Sequence, residues 1–528
     1  MVVIFSWILI FSCWWIVIAL TSCTRKQQSQ VVKSPFALPI IGHLHLFAKY
    51  PDDPVEAFEN IREKYGDIVD LKLGSQKYLL ISDLRVIQYL FTKSGERFTD
   101  RPFFRSLELL QRRSEQSVYF SPYSDEHDAL RRTLKHYCLT SFAPDQMIMF
   151  ERNLIESFDQ FTDGIGQFSI LLRKDISNLA GNSIFDQLCH RRFPANDPGF
   201  QEFLQDIDQL HDLTHHGFLF DFIPFLYHIW WSKTVFSEAN DLLEKVRSFL
   251  SSNLNIRREC FRMWRYEPND RDNRYFLGLM LKNYHENLLV DVSYKCIQRI
   301  EEILIKLPDI TNLVMACLGY ISLNKHVQDN IRHEIGRKFG TKKEILSLSE
   351  AMSLIYTQAT IRETLRLTGS LSFPLKSPEP VEITRDYMMP IGTAIILNIH
   401  HIHHSSDYWK FPNSFYPNHF LSEDGDRLES LPAFMPFGYG KRSCPGHGLF
   451  DSIASFLVAN FVNKFHIQPN CGPDEMASRG LRDILSMKTD NFFSLNLKKR
   501  DKFHDRADKE FVMIHGKLVS FIKCEDKE

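Results

Sequence analysis

The sequence predicts one large, mainly α-helical domain with small β-sheets, preceded by an N-terminal transmembrane helix. Between about residues 125 and 365, most segments carry apolar residues at three- and four-residue steps, which is typical of amphipathic helices. Strand-like alternation is confined to residues 67–83 and 380–397. Because neither an internal repeat nor a central linker interrupts the 528 residues, we expect a single domain, although the length would allow about three.

The composition is that of an ordinary globular chain, with 44% hydrophobic and 24% charged residues, which excludes a disordered, collagen-like or low-complexity protein. The 63 Lys and Arg residues nearly balance the 65 Asp and Glu residues, so no overall charge favours a nucleic acid as partner. The 43 Phe residues predict a bulky apolar interior, or an apolar surface for lipid or ligand.

The N-terminal segment has the properties of a membrane anchor. Residues 2–20 carry no charge and approach the length that a helix needs to cross a bilayer. No Lys or Arg precedes the segment, whereas Arg25, Lys26 and Lys33 follow it, which favours an uncleaved anchor over 1–21 against the alternative of a cleaved signal peptide. The positive charge on the C-terminal side predicts that the rest of the chain is cytoplasmic.

The remaining elements follow in order along the chain. Residues 22–45 form a predicted linker, which Pro35 and Pro39 keep from being helical. The main domain is expected over 46–500, with a first helix that ends at Gly66, a hairpin that turns at Gly74, and a final helix after Gly446. Residues 501–528 form a charged tail, or an appended strand, of no visible function.

The aromatic segment 216–231 is almost continuously apolar, but Asp221 and Pro224 interrupt it, so it is too short to span a membrane. Two interpretations stay open, a buried helix end and a surface that dips into the bilayer beside the anchor.

Two sets of residues contain side chains that can bind metal ions, the cysteines and a group of four histidines. The ten cysteines show no C-x-x-C pair and no regular spacing, which indicates neither a zinc module nor a disulfide framework. Four histidines, His400, His401, His403 and His404, lie close together, and we expect them to be structural or solvated rather than metal ligands.

The strongest chemical motif is a glycine-rich loop that leads into the final helix. The loop fits the pattern F-x-x-G-x-R-x-C-x-G with Phe437, Gly440, Arg442, Cys444 and Gly446. The probability of such a match by chance in a chain of this length is on the order of one in several thousand. Backbone N–H groups and a helix N-terminus favour a thiolate, the form in which cysteine binds iron. An arginine can pair with a carboxylate of the ligand through two hydrogen bonds.

This loop resembles the haem-binding loop of the haem-thiolate monooxygenases, the cytochrome P450 superfamily. The resemblance covers nearly the whole chain and implies the cytochrome P450 fold, with haem b as cofactor. It also implies that Cys444 is the proximal iron ligand, that Phe437 packs on the sulfur side of the haem, and that Arg442 binds a propionate. Arg131 resembles the helix arginine that meets the other propionate, and His127 stands where many relatives have Trp.

The resemblance extends to a structural ion-pair network. Glu363 and Arg366 are three residues apart, on one face of a helix, and match the family's E-x-x-R motif. In the family, an arginine of a later P-x-R-F segment completes the network. The segment here has His419 at that position, which predicts a weaker network because histidine has only two donors.

The central helix departs from the family's A-G-x-[DE]-T pattern, in which an acid and an alcohol deliver protons beside a groove for dioxygen. The equivalent residues here are 305–309, Ile-Lys-Leu-Pro-Asp, so the small residues are absent. Pro308 disrupts the helical hydrogen bonding and could open the groove by a kink. Asp309 or Thr311 would then be the proton relay, and the alternative is that neither is.

Several stretches resemble the spook-type arthropod enzymes of ecdysteroid hormone synthesis, a branch that also lacks the usual threonine; they are YGDIVDLKLGS, LFTKSGERFTDRPFF, FDQLCHRRFPANDPGFQEF and DFIPFL. The resemblance implies a sterol substrate, a single-pass protein of the endoplasmic reticulum membrane with a cytoplasmic catalytic domain, and electrons from NADPH-cytochrome P450 reductase. An adrenodoxin-like or cytochrome b5 donor is an alternative. Two other functions stay open, a monooxygenase for a fatty acid or foreign compound, and a haem protein whose oxygen activation is lost or rearranged.

Overall fold

The computed structural model describes residues 32–50, 53–102, 104, 117–119, 121–138, 144–189, 191–194, 196–215, 219–223, 230–254, 292–369, 371–472, 493–500, 512–514 and 517–519. The predicted anchor at 1–21 lies outside the described residues, as do most of the aromatic segment 216–231 and most of the tail 501–528.

Helices dominate the described chain, which confirms the mainly helical domain of the predicted fold class but does not test its N-terminal transmembrane helix. Those up to residue 254 are α1 (Pro54–Tyr65), α2 (Leu84–Ser94), α3 (Asp125–Cys138), α4 (Pro144–Asp163), α5 (Arg173–Cys189), α6 (Pro198–His215), α7 (Leu219–Phe222) and α8 (Trp230–Asn253). Those from residue 292 onward are α9 (Val292–Leu304), α10 (Leu307–Leu323), α11 (Lys325–Phe339), α12 (Leu348–Met352), α13 (Ile355–Leu367), α14 (Ile399–His404) and α15 (His447–Lys464).

The strands form small sheets at the edge of the helical body. They are β1 (Ile68–Leu73), β2 (Gln76–Ile81), β3 (Phe168–Leu171), β4 (Leu375–Lys376), β5 (Val381–Thr384), β6 (Tyr387–Met389), β7 (Ala394–Leu397), β8 (Phe465–Pro469), β9 (Leu495–Lys499), β10 (Val512–Ile514) and β11 (Lys517–Val519). The largest sheet has the order β1-β2-β7-β4, a second has the order β3-β9-β8, and β5-β6 and β10-β11 are hairpins.

The hairpin predicted at 67–83 is present, with Ile68 paired to Ile81 and Leu73 paired to Gln76. The second strand-like stretch is divided between two sheets. Residues 381–389 form the β5-β6 hairpin, whereas β7 pairs in parallel with β2. Residues 390–393 therefore carry the chain from one sheet to another.

Local sequence explains the first helix and the packing that follows it. The Asp53 side chain accepts a hydrogen bond from the Glu56 N–H, Pro54 occupies the first turn, and Gly66 ends α1 at a φ of 103°, a conformation that favours glycine. At Gly74, a Cβ atom would clash with the carbonyl oxygen of Phe222. This glycine lets the β1-β2 turn pack against α7, where Asp221 is 4% exposed.

The central helical stretch is broken into α9 and α10, as Pro308 suggests. The two helices are separated by Ile305 and Lys306, and Pro308 lies in the first turn of α10, where its missing N–H removes no helical hydrogen bond. Helix α10 packs against α5, α6, α13 and α15 in the middle of the largest apolar core. Among the described residues, the stretch Cys296–Leu323 is long and apolar enough to cross a membrane, but 67% of its 18-residue apolar window is buried inside the protein.

A buried ion pair joins α13 to the chain that leads to the glycine-rich loop. Arg366 donates two hydrogen bonds to Glu363, Nε to Oε2 at 2.8 Å and Nη2 to Oε1 at 2.7 Å, and both side chains are 0% exposed. The Arg366 guanidinium also donates to the carbonyl oxygens of His403 and Pro412, each at 2.6 Å. His419 Nδ1 lies 3.2 Å from Glu363 Oε1, so the histidine lies beside the pair.

The clustered histidines have structural contacts. His403 on α14 is 0% exposed, its Nδ1 lies 3.1 Å from the Arg366 carbonyl oxygen, and its Nε2 accepts the Met435 N–H. It therefore connects the end of α13 to the start of the glycine-rich loop. No group of three or more metal-ligating side chains occurs in the part of the chain that the structure describes.

We predict that Glu363→Ala prevents recovery of folded protein. Removing one partner leaves the buried Arg366 charge uncompensated, which costs about 3–5 kcal/mol. The yield of protease-resistant protein measures the effect. The control is Glu382→Ala, which removes only an exposed pair with Lys93, because solvent screens such surface pairs. Normal recovery of the Glu363→Ala protein would contradict the structural role of the pair.

Candidate active site

The glycine-rich loop folds as a tight turn that leads into α15. The Cys444 N–H donates to the Phe437 carbonyl oxygen at 2.8 Å and so closes the loop. Gly438 and Gly440 have φ angles of 76° and 75°. A Cβ atom at Gly440 would lie 2.7 Å from the ring of Phe91, so this position requires glycine both for its backbone and for its close contact.

The Cys444 side chain has accessible surface, so a ligand can reach the sulfur. Burial by the surrounding protein nevertheless raises the pKa of the thiol. The Gly446 N–H donates to the sulfur and opposes the rise in pKa. Helix α15 begins at His447, so the positive end of its dipole also favours a thiolate.

The ring of Phe437 lies against the start of α15, with its centroid 5.7 Å from that of His447 and 5.9 Å from that of Phe450. This contact fixes the loop on the helix that follows it. Gly446 is the residue before α15, and the position of its Cβ would be 4.0 Å from the Cys444 sulfur. The structure therefore brings Phe437, Gly446 and Cys444 together at one helix N-terminus.

Both predicted propionate ligands, Arg131 and Arg442, are beside the loop. Arg131 on α3 donates to the carbonyl oxygens of Lys441 and Ser443, at 3.1 and 2.6 Å. Arg442 is 5% exposed and donates to the carbonyl oxygens of Thr99 and Ser121.

A third arginine, Arg101, belongs to the same cluster, and the sequence analysis missed it. Its Nη1 donates to the carbonyl oxygens of Phe373 and Pro374, both at 2.9 Å. Burial and the charges of Arg442 and Arg131 lower the pKa of Arg101 to about 9. Burial and Arg131 lower the pKa of Arg442 to about 10. Three mutually repelling guanidinium groups fit an anion, and the two propionates of haem b carry the matching charge.

His127 adds a further fit to a carboxylate. Burial and the neighbouring Arg442 lower the pKa of its imidazole to about 4, so the ring is neutral at pH 7. Its Nε2 lies 2.8 Å from Nη1 of Arg442 and 3.1 Å from the Val118 carbonyl oxygen. Acceptance from Arg442 places the proton on Nδ1, whereas donation to Val118 places it on Nε2. Within the described residues, the buried Nδ1 has no hydrogen-bond partner. In the tautomer with the proton on Nδ1, a propionate oxygen would satisfy this nitrogen.

The two predicted relay residues have different surroundings. Thr311 is 0% exposed, and its hydroxyl donates to the Leu307 carbonyl oxygen at 3.0 Å. Asp309 is half-buried, and its Oδ1 lies 2.9 Å from Nε2 of His211 on α6. Burial and, to a smaller extent, the Asp309 carboxylate raise the pKa of the Cys444 thiol, whereas the Gly446 N–H and Lys306 lower it. Asp309 and Lys306 are therefore close enough to act on the thiol.

His211 is not predictable from the sequence, because nothing in the helical pattern of 198–215 distinguishes this histidine from a solvated one. The pairing of α6 with the broken helix is a long-range contact between residues 98 positions apart. Arg101 could have been suspected from its place before Pro102 in a stretch that resembles the spook-type branch.

Comparison with known proteins agrees with this geometry. The family model "Cytochrome P450" matches residues 32–493. The chain is 26% identical to "Cytochrome P450 307a1" of Drosophila melanogaster over 473 residues, which is 84% of each protein. It is 28% identical to "Cytochrome P450 2U1" of Homo sapiens over 78% of this chain and 75% of that protein, and 24% identical to "Farnesoate epoxidase" of Bombyx mori over 82% and 87%.

The family model covers most of the chain, and many of the relatives are named cytochromes P450. Members of this family bind haem b through a cysteine thiolate and receive electrons from redox partners such as a reductase. The chain belongs to the cytochrome P450 family and is a haem-thiolate monooxygenase.

Proposed function

We propose that this enzyme inserts an oxygen atom from O2 into a sterol, at an early step of ecdysteroid hormone synthesis. The position of Cys444 within electrostatic reach of Asp309 and Lys306, at the broken end of α10, is the observation that supports the oxygenase part of the proposal. The sterol is supported by the stretches that resemble the spook-type branch. One of them, FDQLCHRRFPANDPGFQEF, spans the end of α5 and the start of α6, the helix that carries His211.

Haem b supplies the activation of dioxygen when it is bound, and the chain supplies its surroundings. Cys444 is the proposed iron ligand, and the Gly446 N–H and the N-terminus of α15 stabilise its negative charge. Arg101, Arg131 and Arg442 would bind the propionates, with His127 as an additional donor. Gly440 allows the loop to approach its neighbours closely, and Phe437 secures it to α15.

Asp309 is the proposed proton relay, and Thr311 is the weaker of the two candidates. The Thr311 hydroxyl already donates within α10, whereas the Asp309 carboxylate is half-buried and lies close enough to Cys444 to change the pKa of its thiol. A carboxylate at this place can hold a proton and pass it to a reacting oxygen.

The partners and the location follow from the resemblance and the charge pattern. NADPH-cytochrome P450 reductase is the proposed electron donor, with an adrenodoxin-like or cytochrome b5 donor as the alternative. The uncharged segment 2–20, followed by basic residues, supports a single-pass protein of the endoplasmic reticulum membrane with its catalytic domain in the cytoplasm.

Two observations favour other functions. The similarity to a farnesoate epoxidase favours another lipophilic substrate, and Lys306 beside the site would suit one that carries a carboxylate. The break of the central helix at 305–306 favours a haem protein that has lost oxygen activation or that rearranges an oxygenated substrate.

We predict that the full-length protein, reconstituted in membranes with the reductase, consumes NADPH and O2 when sterols are added. Farnesoic acid and a long-chain fatty acid are the comparison substrates. Product formation from a sterol at a higher kcat/KM than from either acid supports the proposal. Turnover of the acids alone would support the other lipophilic substrate, and sterol conversion without NADPH would support rearrangement.

We predict that Asp309→Asn lowers product formation about 100-fold, because an amide cannot carry the proton that a carboxylate transfers. Haem content is expected to stay normal, since Asp309 is not among the groups that bind the propionates. Asp407→Asn, a change of the same kind at an exposed position, is the control. Unchanged turnover and unchanged product yield per NADPH in Asp309→Asn would remove Asp309 from the mechanism.

A further inference from the structure

A buried histidine from a neighbouring helix holds the proposed relay carboxylate. His211 on α6 is 2% exposed, and its Nε2 lies 2.9 Å from Oδ1 of Asp309. The other carboxylate oxygen of Asp309, Oδ2, lies 3.5 Å from Nζ of Lys306. The carboxylate is therefore placed between an imidazole and an ammonium group at the broken end of α10.

The charged groups around His211 lie on α6 itself, at the start of α5 and at the start of α10. On α6 itself, Oδ1 of Asp212 lies 3.6 Å from Nδ1 of His211. Asp208, one turn earlier, is held by two hydrogen bonds from Arg173 at the start of α5, at 2.7 and 3.0 Å. Asp309 on α10 and Lys306 before it complete the set.

These carboxylates oppose the effect of burial on the imidazole. Burial lowers the pKa of His211, but the contacts of its ring nitrogens with the carboxylates of Asp212 and Asp309 outweigh this effect and leave the pKa above its ordinary value of 6.5. Lys306 acts in the opposite direction. The ring therefore holds its second proton to a higher pH than an exposed histidine does.

We propose that His211 is a positioning residue for proton delivery: it aims the Asp309 carboxylate at the space in front of Cys444 and shares with it the proton that the site consumes. This inference rests on the proposed oxygenase function. It also explains how a chain without the family's acid and alcohol pair can deliver protons, since an imidazole from α6 takes the place of the missing partner.

The proton step balances without an electron donor. The N–H bond at Nε2 of the imidazolium breaks and an O–H bond forms at Oδ1 of Asp309, which leaves a neutral imidazole and a neutral carboxylic acid. Asp309 then gives this proton to the reacting oxygen. One proton from solvent restores the imidazolium, and Asp309 and Asp212 are both half-buried, with side chains 21% and 17% exposed.

The first test compares the yield of product per NADPH in the wild-type protein, His211→Gln and Asp309→Asn, all full-length and reconstituted with the reductase. We expect His211→Gln to lower this yield about tenfold, with more hydrogen peroxide released, and the double variant to be no worse than Asp309→Asn alone. The wild-type advantage is expected to shrink as the pH rises through the pKa of His211. The control is His326→Gln, at an exposed histidine on α11.

The second test requires no turnover. Since the pKa of His211 is raised in the folded protein, its contribution to stability is fully present below the unfolded value of about 6.5 and is lost as the pH rises through the folded value. The difference in Tm between wild type and His211→Gln, followed by loss of the haem absorbance, is therefore expected to be largest at low pH and to fall on the alkaline side.

The outcomes separate the inference from the proposed function. If no substrate is turned over but the Tm difference follows pH as expected, the proposed function fails and the buried His211–Asp309 pair stands. Normal yield per NADPH in His211→Gln, or a Tm difference that does not change with pH, overturns the inference. If His211→Gln does not fold, Asp212→Asn replaces it, and its pH profile is expected to move to lower pH; an unmoved profile overturns the inference as well.

Discussion

The burial of the Cys444 sulfur is the constraint on which the rest of the site depends. A thiolate inside a protein is unfavourable, and the surrounding atoms raise the pKa of this thiol. The chain offsets this cost with a backbone N–H from Gly446 and with the N-terminus of α15. The loop can supply them only because Gly438 and Gly440 adopt positive φ angles and because the Phe437 carbonyl closes the turn.

Further charged groups surround the same loop. Burial and the repulsion of neighbouring guanidinium groups lower the pKa of Arg101 and Arg442, an arrangement that an anionic ligand would stabilise. Asp309 and Lys306 lie 3.5 Å apart at the start of a helix that is otherwise part of the apolar core, and both affect the pKa of the Cys444 thiol.

The parts of the fold that depend on neighbouring residues were predictable from the sequence, and those that depend on distant residues were not. The hairpin that turns at Gly74 and the helix after Gly446 follow from local patterns and are confirmed. The position of β7 beside β2 depends on long-range pairing, which alternation alone does not specify. The motif places Cys444 and Arg442 on one loop, but the approach of His211 to Asp309 arises only when α6 packs against α10.

The central claim, that Cys444 is the thiolate ligand of haem b, is tested most directly by the carbon monoxide difference spectrum of the reduced full-length protein. We expect the shifted absorbance band typical of thiolate ligation in the wild-type protein and in Cys471→Ala, a change at another cysteine of the described chain. We expect loss of that band in Cys444→Ala. A wild-type protein that binds haem without the shifted band, or a Cys444→Ala protein that keeps it, would contradict the account.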